Sequence, residues 1–200
     1  MCGTMRKASG ELFIFDLGNV LVRNITVLPA IAGELGLPLD ALEEDYRLYE
    51  NAMMAGLFPI EAYYRHLADR FGVTVSGDIF KRHFHPLVNG PVLSMADSLR
   101  ARGGRCVIGS NTFRSHWDFI YETGLADHFD AAYASHLIHA VKPHKAFFAT
   151  VLALENADRR HAHHFDDSRD NVAGAASLGL DAFLYSGNDD ELEAFLGSFS

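Results

Sequence analysis

The chain has 200 residues, of which 48% are hydrophobic and 22% are charged, and this composition is typical of a soluble globular protein with one substantial core. The formal net charge of -9 and the lack of a Lys/Arg-rich run exclude a duplex nucleic-acid surface, although a small phosphorylated ligand needs only one local positive site or a metal ion. No run is long and apolar enough to span a bilayer, and the N-terminal segment lacks signal-peptide features, so we expect a cytoplasmic protein.

The first predicted element is a strand over residues 11–16, because this run is short, apolar and without alternation. It ends in a lone carboxylate, Asp16, which is followed by the turn sequence Leu-Gly-Asn. The next segment, 23–90, has almost no strand signal. It carries apolar residues at helical spacing, and Gly36, Gly56 and Gly72 stand where helices usually stop, so we expect four helices.

From Pro91 onward the pattern alternates between predicted helices and strands. A helix begins at Pro91 and is followed by a strand over 105–110, a helix over 115–124 and a short strand near 129–135. A helix over 145–155, a strand over 162–167, a helix over 170–179 and a strand over 181–186 complete the series. Such alternation predicts an α/β fold with a doubly wound parallel sheet. The first strand must join this sheet, so we predict a core of residues 1–22 and 91–200 with a four-helix insert at 23–90.

The two cysteines give no sign of a disulfide framework or a thiolate metal site. Cys106 lies in the apolar run of a predicted strand and is expected in the core, whereas Cys2 lies in the N-terminal tail. Both observations agree with a reducing environment.

Polar residues follow the predicted strands at the points where each strand ends, and ligand sites of parallel sheets lie at that edge. They are Asp16 after the first strand, Ser110, Asn111 and Thr112 after the second, Lys142 in a later loop, and Asp166, Asp167 and Asp170. Clustered carboxylates repel one another unless a cation offsets their charge. Oxygen ligands without thiolates suit Mg²⁺, and a carboxylate at a strand tip can attack phosphorus to form an aspartyl-phosphate. Hydroxyl, amide and ammonium groups can then bind the phosphate oxygens.

These segments, taken together, resemble the haloacid dehalogenase-like (HAD) hydrolase superfamily, and its phosphatases in particular. The resemblance covers nearly the whole chain, because "FDLGNVL", "SNT", "KP" and "FDDSRDN" look like the four motifs of that family in the correct order. The helical insert is similar to the mobile cap of the family. The pattern is most similar to the subgroup with "DLGNV", "SNTxRxH" and "DDxxDN", which includes alpha-D-glucose-1-phosphate phosphatase.

The resemblance implies a role for each matching residue. Asp16 would be the nucleophile, and Mg²⁺ would be held by Asp16, the backbone carbonyl of Gly18 and Asp167, with Asp166 and Asp170 in support. The remaining matches would bind the phosphate or the rest of the substrate, and they are Ser110, Asn111, Lys142, Arg114 and His116. The expected partner is a small phosphorylated metabolite, such as a sugar 1-phosphate. The oligomeric state is left open.

Gly18 departs from the pattern of most phosphatases of the superfamily, which carry an aspartate there to protonate the leaving group. Glycine keeps its carbonyl for a metal but has no proton to transfer, and general acid-base help is worth roughly 10²–10⁴-fold. The subgroup named above shares this glycine. An anomeric sugar oxygen is a better leaving group than an ordinary alkoxide and tolerates the missing acid.

Two other functions remain open at this stage. A 2-haloacid dehalogenase also uses an aspartate nucleophile, but it has little use for the acidic pair Asp166 and Asp167. A binding or regulatory protein could keep the fold and lose efficient chemistry at Gly18. The histidines at 161, 163 and 164 suggest a zinc site only weakly, since no third clustered ligand accompanies them.

Overall fold

The computed structural model describes residues 8–199, so the prediction about Cys2 falls outside the described residues. Within them the strands are β1 (Leu12–Phe15), β2 (Val22–Arg23), β3 (Leu87–Val88), β4 (Arg105–Ser110), β5 (Ala131–Ala134), β6 (Ala162–Asp166) and β7 (Asp181–Leu184). The helices are α1 (Leu28–Leu35), α2 (Leu39–Met54), α3 (Ile60–Phe71), α4 (Ile79–His83), α5 (Gly90–Ala101), α6 (Arg114–Trp117), α7 (Phe119–Glu122), α8 (Ser135–Ile138), α9 (Lys145–Glu155), α10 (Arg169–Leu178) and α11 (Asp189–Leu196).

Five strands form one parallel sheet in the order β5-β4-β1-β6-β7, which confirms the predicted fold class. The chain builds the sheet outward from β1, first toward β4 and β5 and then toward β6 and β7. The strand order therefore reverses at β1, and the crevice beyond the carboxyl ends of β1 and its neighbours is where ligands bind in such sheets. In the register, Phe15 lies beside Ile108 of β4 and Phe165 of β6, so the residues that follow these strands emerge together.

The central strand is buried on both faces, as its unbroken apolar sequence predicts. Phe13 and Phe15 join one apolar cluster, which packs against α5 and α11, whereas Leu12 and Ile14 join a second cluster with α9 and α10. Alternate residues of a strand point to opposite faces, so β1 anchors both layers of helices. Cys106 is fully buried in the first cluster, as predicted for a core thiol.

The segment between β1 and α5 contains the four predicted helices, α1 to α4. Their buried side chains form an apolar cluster of their own, which Phe113 joins from the sheet side. The short antiparallel pair of β2 and β3 was not predicted, because two residues per strand leave no periodicity in the sequence. This pair lies where the chain leaves and re-enters the sheet region. Buried Asn89 links the returning segment of the chain to the outgoing one. Its side-chain amide donates to Val20 O at 2.9 Å and its backbone amide donates to Leu21 O at 2.8 Å.

Three further elements differ from the sequence-based predictions, and one of them is the short helix α8, which follows β5 where no helix was predicted. The helix predicted over 115–124 is interrupted at Asp118, where the Tyr121 amide bonds to the carbonyl three residues back in a tighter turn. The terminal helix α11 was missed, although Asn188 caps it and acidic residues fill its first turn, both of which stabilise a helix N-terminus. Every described helix is too short or too polar to cross a membrane.

Candidate active site

A cavity of about 300 Å³ opens at the carboxyl edge of the sheet, between the strand ends and the helical insert. Its floor consists of polar residues from the loops after β1, β4 and β6, together with the lysine of a later loop. These residues are Asp16, Asn19, Ser110, Asn111, Lys142, Asp167 and Asn171. The structure therefore brings together most of the residues that the strand-end pattern selected.

Asp16 is held in place by the sheet itself. Its backbone amide donates to Phe165 O of β6 at 2.9 Å, continuing the strand ladder for one residue beyond β1. The side chain, with 8% of the residue exposed, points into the cavity. The next tight turn is closed by the amides of Leu21 and Val22, which both donate to Leu17 O. The nucleophile candidate thus lies on a rigid strand end rather than on a loose loop.

The strained position of this turn is Asn19, not Gly18. Asn19 has a φ of 56°, a left-handed conformation that asparagine tolerates better than most residues, whereas Gly18 is absent from the positive-φ glycines among the described residues. The Asn19 side chain donates to Asp167 Oδ2 at 2.9 Å, across 148 positions of sequence. The asparagine of the "DLGN" turn therefore both permits the turn and ties the first strand end to the acidic loop after β6.

Lys142 is the positive centre of the floor. Its side chain is fully buried, and its Nζ lies 2.7 Å from Asp16 Oδ1 and 2.6 Å from Asp166 Oδ2. Burial alone would lower the pKa of Lys142, but the two carboxylates raise it above its usual value. The lysine therefore stays charged and offsets part of the repulsion between the acidic groups.

Both carboxylate oxygens of Asp166 already have hydrogen-bond partners. Besides Lys142, its carboxylate accepts hydrogen bonds from the Ser168 amide at 2.9 Å and from the Asn171 side chain at 2.9 and 3.1 Å, and His164 Nε2 lies 3.1 Å away. Burial opposes ionisation, but Lys142 and His164 hold the pKa of Asp166 well below its usual range. A carboxylate with this many donors positions Lys142 and the acidic loop and has little capacity left to coordinate a ligand directly.

The pKa of Asp16 moves in the opposite direction. Burial raises it to about 7, Lys142 opposes this shift, and the charges of Asp166 and Asp167 reinforce it. One lysine therefore does not neutralise three carboxylates. A further positive charge at this edge would bring the Asp16 carboxyl group back to its ionised form.

The donor set suits a divalent cation. Oxygens of Asp16, Asp166 and Asp167 lie within 4.8 Å of one another, and Asp16 and Asp167 are the two with capacity left to bind a ligand. Asp167 is exposed, with one hydrogen bond from Asn19, and the Gly18 backbone also lines the cavity. An all-oxygen set with spare negative charge fits Mg²⁺, which prefers one or two carboxylates together with phosphate and water.

Two residues at the carboxyl end of β4, Ser110 and Asn111, have different roles. Buried Ser110 lines the cavity, with its hydroxyl only 3.5 Å from Asn111 O. Asn111 uses both ends of its side-chain amide on the backbone of Lys142, since it accepts from the amide of that residue and donates to its carbonyl, each at 2.8 Å. Its side chain therefore positions the lysine loop, a task the sequence did not suggest.

Three other candidate residues lie in different surroundings. His116 lines the cavity and stacks on Phe84 with 4.1 Å between ring centroids, and burial lowers the pKa of His116 to about 4, so the ring is neutral. Arg114 is exposed at the start of α6 and does not line the cavity. Asp170 is exposed in the first turn of α10 and makes no hydrogen bond to Lys142; Asp166 and Asn171 take the place expected for it.

The histidines that suggested a zinc site separate to two ends of β6. His161 and His163 both face Glu11 at the amino end, each 2.9 Å from one of its carboxylate oxygens, whereas His164 faces Asp166. Among the described residues the three aspartates form the metal-ligand cluster, and the histidines form none.

Sequence reasoning missed Asn19, Asn171, His164 and the cavity residue Glu50. The two asparagines lie inside the quoted motifs "DLGN" and "FDDSRDN", so a signal for them existed. The sequence marked His164 only as a weak zinc candidate, because its role depends on its contacts with Asp166 in the same strand and with Ile14 O of β1. Nothing in the sequence marked Glu50, which depends on the packing of α2 over the cavity.

Comparison with known proteins places the chain in a family. Residues 11–179 match the family model of the haloacid dehalogenase-like hydrolases. A HAD family enzyme variant from Bacteroides thetaiotaomicron, in complex with magnesium and inorganic phosphate, is similar with a TM-score of 0.80 at 20% identity, covering 92% of this chain and 98% of that one. A predicted HAD-like family hydrolase from Porphyromonas gingivalis gives 0.80 at 22%, covering 96% of each chain.

A more distant structure is the L-2-haloacid dehalogenase from Xanthobacter autotrophicus with chloropropionic acid covalently bound, with a TM-score of 0.65 at 16% identity over 92% of this chain and 80% of that one. These identities establish a shared fold. The family match, which spans most of the chain, shows more: the protein belongs to the haloacid dehalogenase-like hydrolases, and it is a hydrolase.

Proposed function

We propose that the protein is a Mg²⁺-dependent phosphomonoester hydrolase that acts on a small phosphorylated metabolite through an aspartyl-phosphate at Asp16. The observation that carries this proposal is the position of Lys142, whose ammonium lies between Asp16 and Asp166 on the floor of the cavity. A buried cation beside a rigid carboxylate fits the binding of a phosphate dianion next to a nucleophile.

The proposed covalent step uses Asp16 as the nucleophile. An ionised Asp16 oxygen attacks phosphorus, the bond from phosphorus to the leaving oxygen breaks, and its electron pair leaves with that oxygen. Lys142 and the Ser110 hydroxyl stabilise the charge on the non-bridging oxygens. The leaving oxygen takes a proton from water. A second water then attacks phosphorus, the bond from phosphorus to the Asp16 oxygen breaks with its electron pair restoring the carboxylate, and inorganic phosphate and a proton are released.

The metal would be held by Asp16, Asp167 and the carbonyl of Gly18, while Asp166 keeps these groups and Lys142 in position. When bound, Mg²⁺ would neutralise charge on the phosphate and orient it toward Asp16. Support comes from the all-oxygen cluster of three carboxylates described above and from the HAD family enzyme solved with magnesium and inorganic phosphate.

Position 18 shapes the expected substrate preference. A β-carbon built on Gly18 would lie 2.9 Å from Ile25 Cδ1, the end of a flexible side chain, so a residue with a side chain at this position would require Ile25 to shift. With no proton donor in that place, the rate should depend on how well the leaving group already departs. A sugar 1-phosphate or an aryl phosphate satisfies this requirement better than a primary alkyl phosphate.

The test is phosphate release from p-nitrophenyl phosphate with Mg²⁺ and with EDTA, beside chloride release from 2-chloropropionate. The second assay matters because the dehalogenase from Xanthobacter autotrophicus shares the fold. Phosphate release that requires Mg²⁺ and no chloride release is the expected result. Chloride release would instead assign the dehalogenase reaction, and inactivity in both assays would favour a binding protein.

A further inference from the structure

The upper part of the catalytic cavity differs sharply from its floor. The helical insert (23–90) supplies this roof, and its lining is apolar or aromatic apart from Thr26 and Glu50. The other roof residues are Ile25, Val27, Leu28, Tyr46, Met54 and Phe84. Among the roof residues, all of which lie in the described part of the chain, Glu50 is the one that carries a charge.

Glu50 has no partner to match that charge. It is half-buried, and it makes no hydrogen bond or ion pair with any described residue, whereas its neighbour Arg47 pairs with Glu43 at 3.8 Å. Burial raises the pKa of Glu50, and the more distant charge of Arg47 opposes this only in part. A carboxylate removed from water without a partner is costly, so a function at the cavity accounts for its position better than a structural role.

The surroundings leave this charge available to a ligand. Tyr46 and Met54 lie one turn before and after Glu50 on α2, and they direct the same helix face to the cavity. Across the roof, neutral His116 stacks on Phe84 and brings no positive charge. Lys142 is the one charged amine or guanidinium among the described residues that line the cavity, and Asp16 and Asp166 already hold it.

The distance from the floor decides which part of a substrate Glu50 can reach. The C-terminal end of α2 lies beside α8, which follows β5, and His139 Nδ1 lies 3.0 Å from Ala55 O there. At about 1.5 Å of rise per residue, Glu50 lies about 6 Å farther along the helix axis than Met54. Glu50 lines the cavity from the helical insert, whereas Asp16 and Lys142 line it from the strand ends, so the part of a leaving group remote from phosphorus is the part that Glu50 would meet.

We propose that Glu50 determines substrate specificity by accepting a hydrogen bond from a donor at the distal end of an otherwise apolar or aromatic leaving group, with a primary ammonium as the best donor. The inference rests on the proposed phosphatase function and names the substrate class for it. An ammonium is preferred to a hydroxyl because it also neutralises the desolvated carboxylate. A sugar fits less well, because its several hydroxyls would find mostly apolar roof atoms and remain unpaired.

The experiment compares three aryl phosphates that differ only at the para position: methyl, hydroxymethyl and aminomethyl. With Mg²⁺ present, the parent enzyme should prefer the aminomethyl compound to the methyl compound by about tenfold or more in kcat/KM, mainly through KM, with hydroxymethyl between them. In Glu50→Gln this preference should fall by about tenfold, to the level that the leaving groups alone produce. Comparison of variant with parent on each substrate cancels the intrinsic differences between leaving groups.

Glu44→Gln is the matched control, since Glu44 is an exposed glutamate on the same helix that does not line the cavity. It should leave the preference for the aminomethyl compound unchanged. Equal losses on all three substrates in Glu50→Gln, with an unchanged melting temperature, would mean that Glu50 supports the roof, and the recognition proposal would be overturned. A parent enzyme without any preference would overturn it as well.

The two proposals can fail separately. If the parent hydrolyses none of the three compounds, the phosphatase function fails, and calorimetric binding of 4-(aminomethyl)phenol then decides the role of Glu50. Binding to the parent that Glu50→Gln weakens about tenfold would still support recognition of an amine by Glu50. Equal binding by both proteins would overturn it.

Discussion

The two ends of β1 and β6 carry charged clusters of opposite character. At the amino end, Glu11 places one carboxylate oxygen 2.9 Å from His161 and the other 2.9 Å from His163. At the carboxyl end, Asp16, Asp166 and Asp167 gather around one buried lysine. The same pair of neighbouring strands thus brings together one carboxylate flanked by two imidazoles and, at the other end, three carboxylates around a single lysine.

The pKa shifts show the consequence of this difference. The two histidines hold the pKa of Glu11 below its usual value even though its partial burial acts the other way. The pKa of Asp16 is raised to about 7, because burial and the neighbouring aspartates outweigh Lys142. A cluster that satisfies its own charges stabilises the fold, whereas a cluster that leaves charge uncompensated is arranged for a ligand.

The largest expected effect is on phosphatase activity, and it comes from comparing two isosteric substitutions that each remove one carboxylate charge, one at each end of β1. Asp16→Asn should lower phosphatase activity by at least about 1,000-fold, because a neutral amide is a poor nucleophile. Glu11→Gln should leave activity within about twofold, since its cluster lies at the opposite end of the strand. Steady-state kinetics on p-nitrophenyl phosphate checks both variants. Near-parental activity in Asp16→Asn would remove Asp16 as the nucleophile.

The second effect concerns stability at the carboxyl end. Lys142→Met should lower the free energy of unfolding by about 3–5 kcal/mol, because it leaves Asp16 and Asp166 buried without their cation. Urea unfolding in EDTA measures this change. The exposed Lys145→Met is the control and should stay within about 0.5 kcal/mol of the parent.

The double variant Lys142→Met/Asp166→Asn should recover part of the loss, since it removes one of the stranded charges. A single variant as stable as the parent would show that the lysine does not compensate the two carboxylates. The ion pairs of Lys142 with Asp16 and Asp166 would then contribute nothing to the free energy of unfolding.

The third effect separates the two exposed aspartates that follow β6. Asp167→Ala should weaken Mg²⁺ binding by at least about tenfold and raise the melting temperature of the metal-free protein, since it relieves repulsion with Asp166. Asp170→Ala should change neither quantity appreciably, because Asp170 is exposed and lies outside the cavity lining. Calorimetric titration with Mg²⁺ distinguishes them. Equal affinity in Asp167→Ala and the parent would exclude Asp167 as a ligand.

The smallest effect is a pH dependence of opposite sign at the two ends, measured without metal. The pKa of Asp16 is raised from 3.8 to about 7, so its contribution to stability is present at low pH and is lost as pH rises through about 7. The pKa of Glu11 is lowered from 4.5, so its contribution is present above 4.5 and is lost as pH falls through its folded pKa.

Denaturant unfolding of Asp16→Asn and Glu11→Gln against the parent, from about pH 3 to pH 8, should therefore show differences that change in opposite directions, below pH 4.5 for Glu11 and between pH 3.8 and about 7 for Asp16. Across this range, the difference in unfolding free energy between the parent and Asp16→Asn should change by more than about 1 kcal/mol, since one pKa unit corresponds to about 1.4 kcal/mol. Parallel pH profiles in the two variants would contradict the contrast between the clusters.

Much of the fold was predictable because its signals are local. The apolar run of β1, the helix stops at Gly36 and Gly72, and the alternation after Pro91 depend on neighbouring residues alone. The short β2–β3 pair was not predictable, because two-residue strands leave no period to detect. The assignment of 23–90 as a separate cap domain stays a prediction.

The candidate site was predictable to the extent that it consists of strand ends. Asp16, Ser110 and Asp166 follow or end predicted strands, and parallel strands bring their carboxyl ends to one edge whatever the details of packing. The sequence alone therefore determined which chemical groups meet there, and it indicated the family through their order along the chain.

Tertiary structure decided how those groups are connected. It formed the hydrogen bond between Asn19 and Asp167. It also placed the Asn171 side chain, rather than Asp170, beside the carboxylate of Asp166, and it directed Glu50 toward the cavity. Such pairings depend on strand register, on the rotational phase of each helix and on contacts between residues far apart in sequence. No local pattern encodes these quantities, because each is fixed only when the layers pack and every side chain competes for the same space.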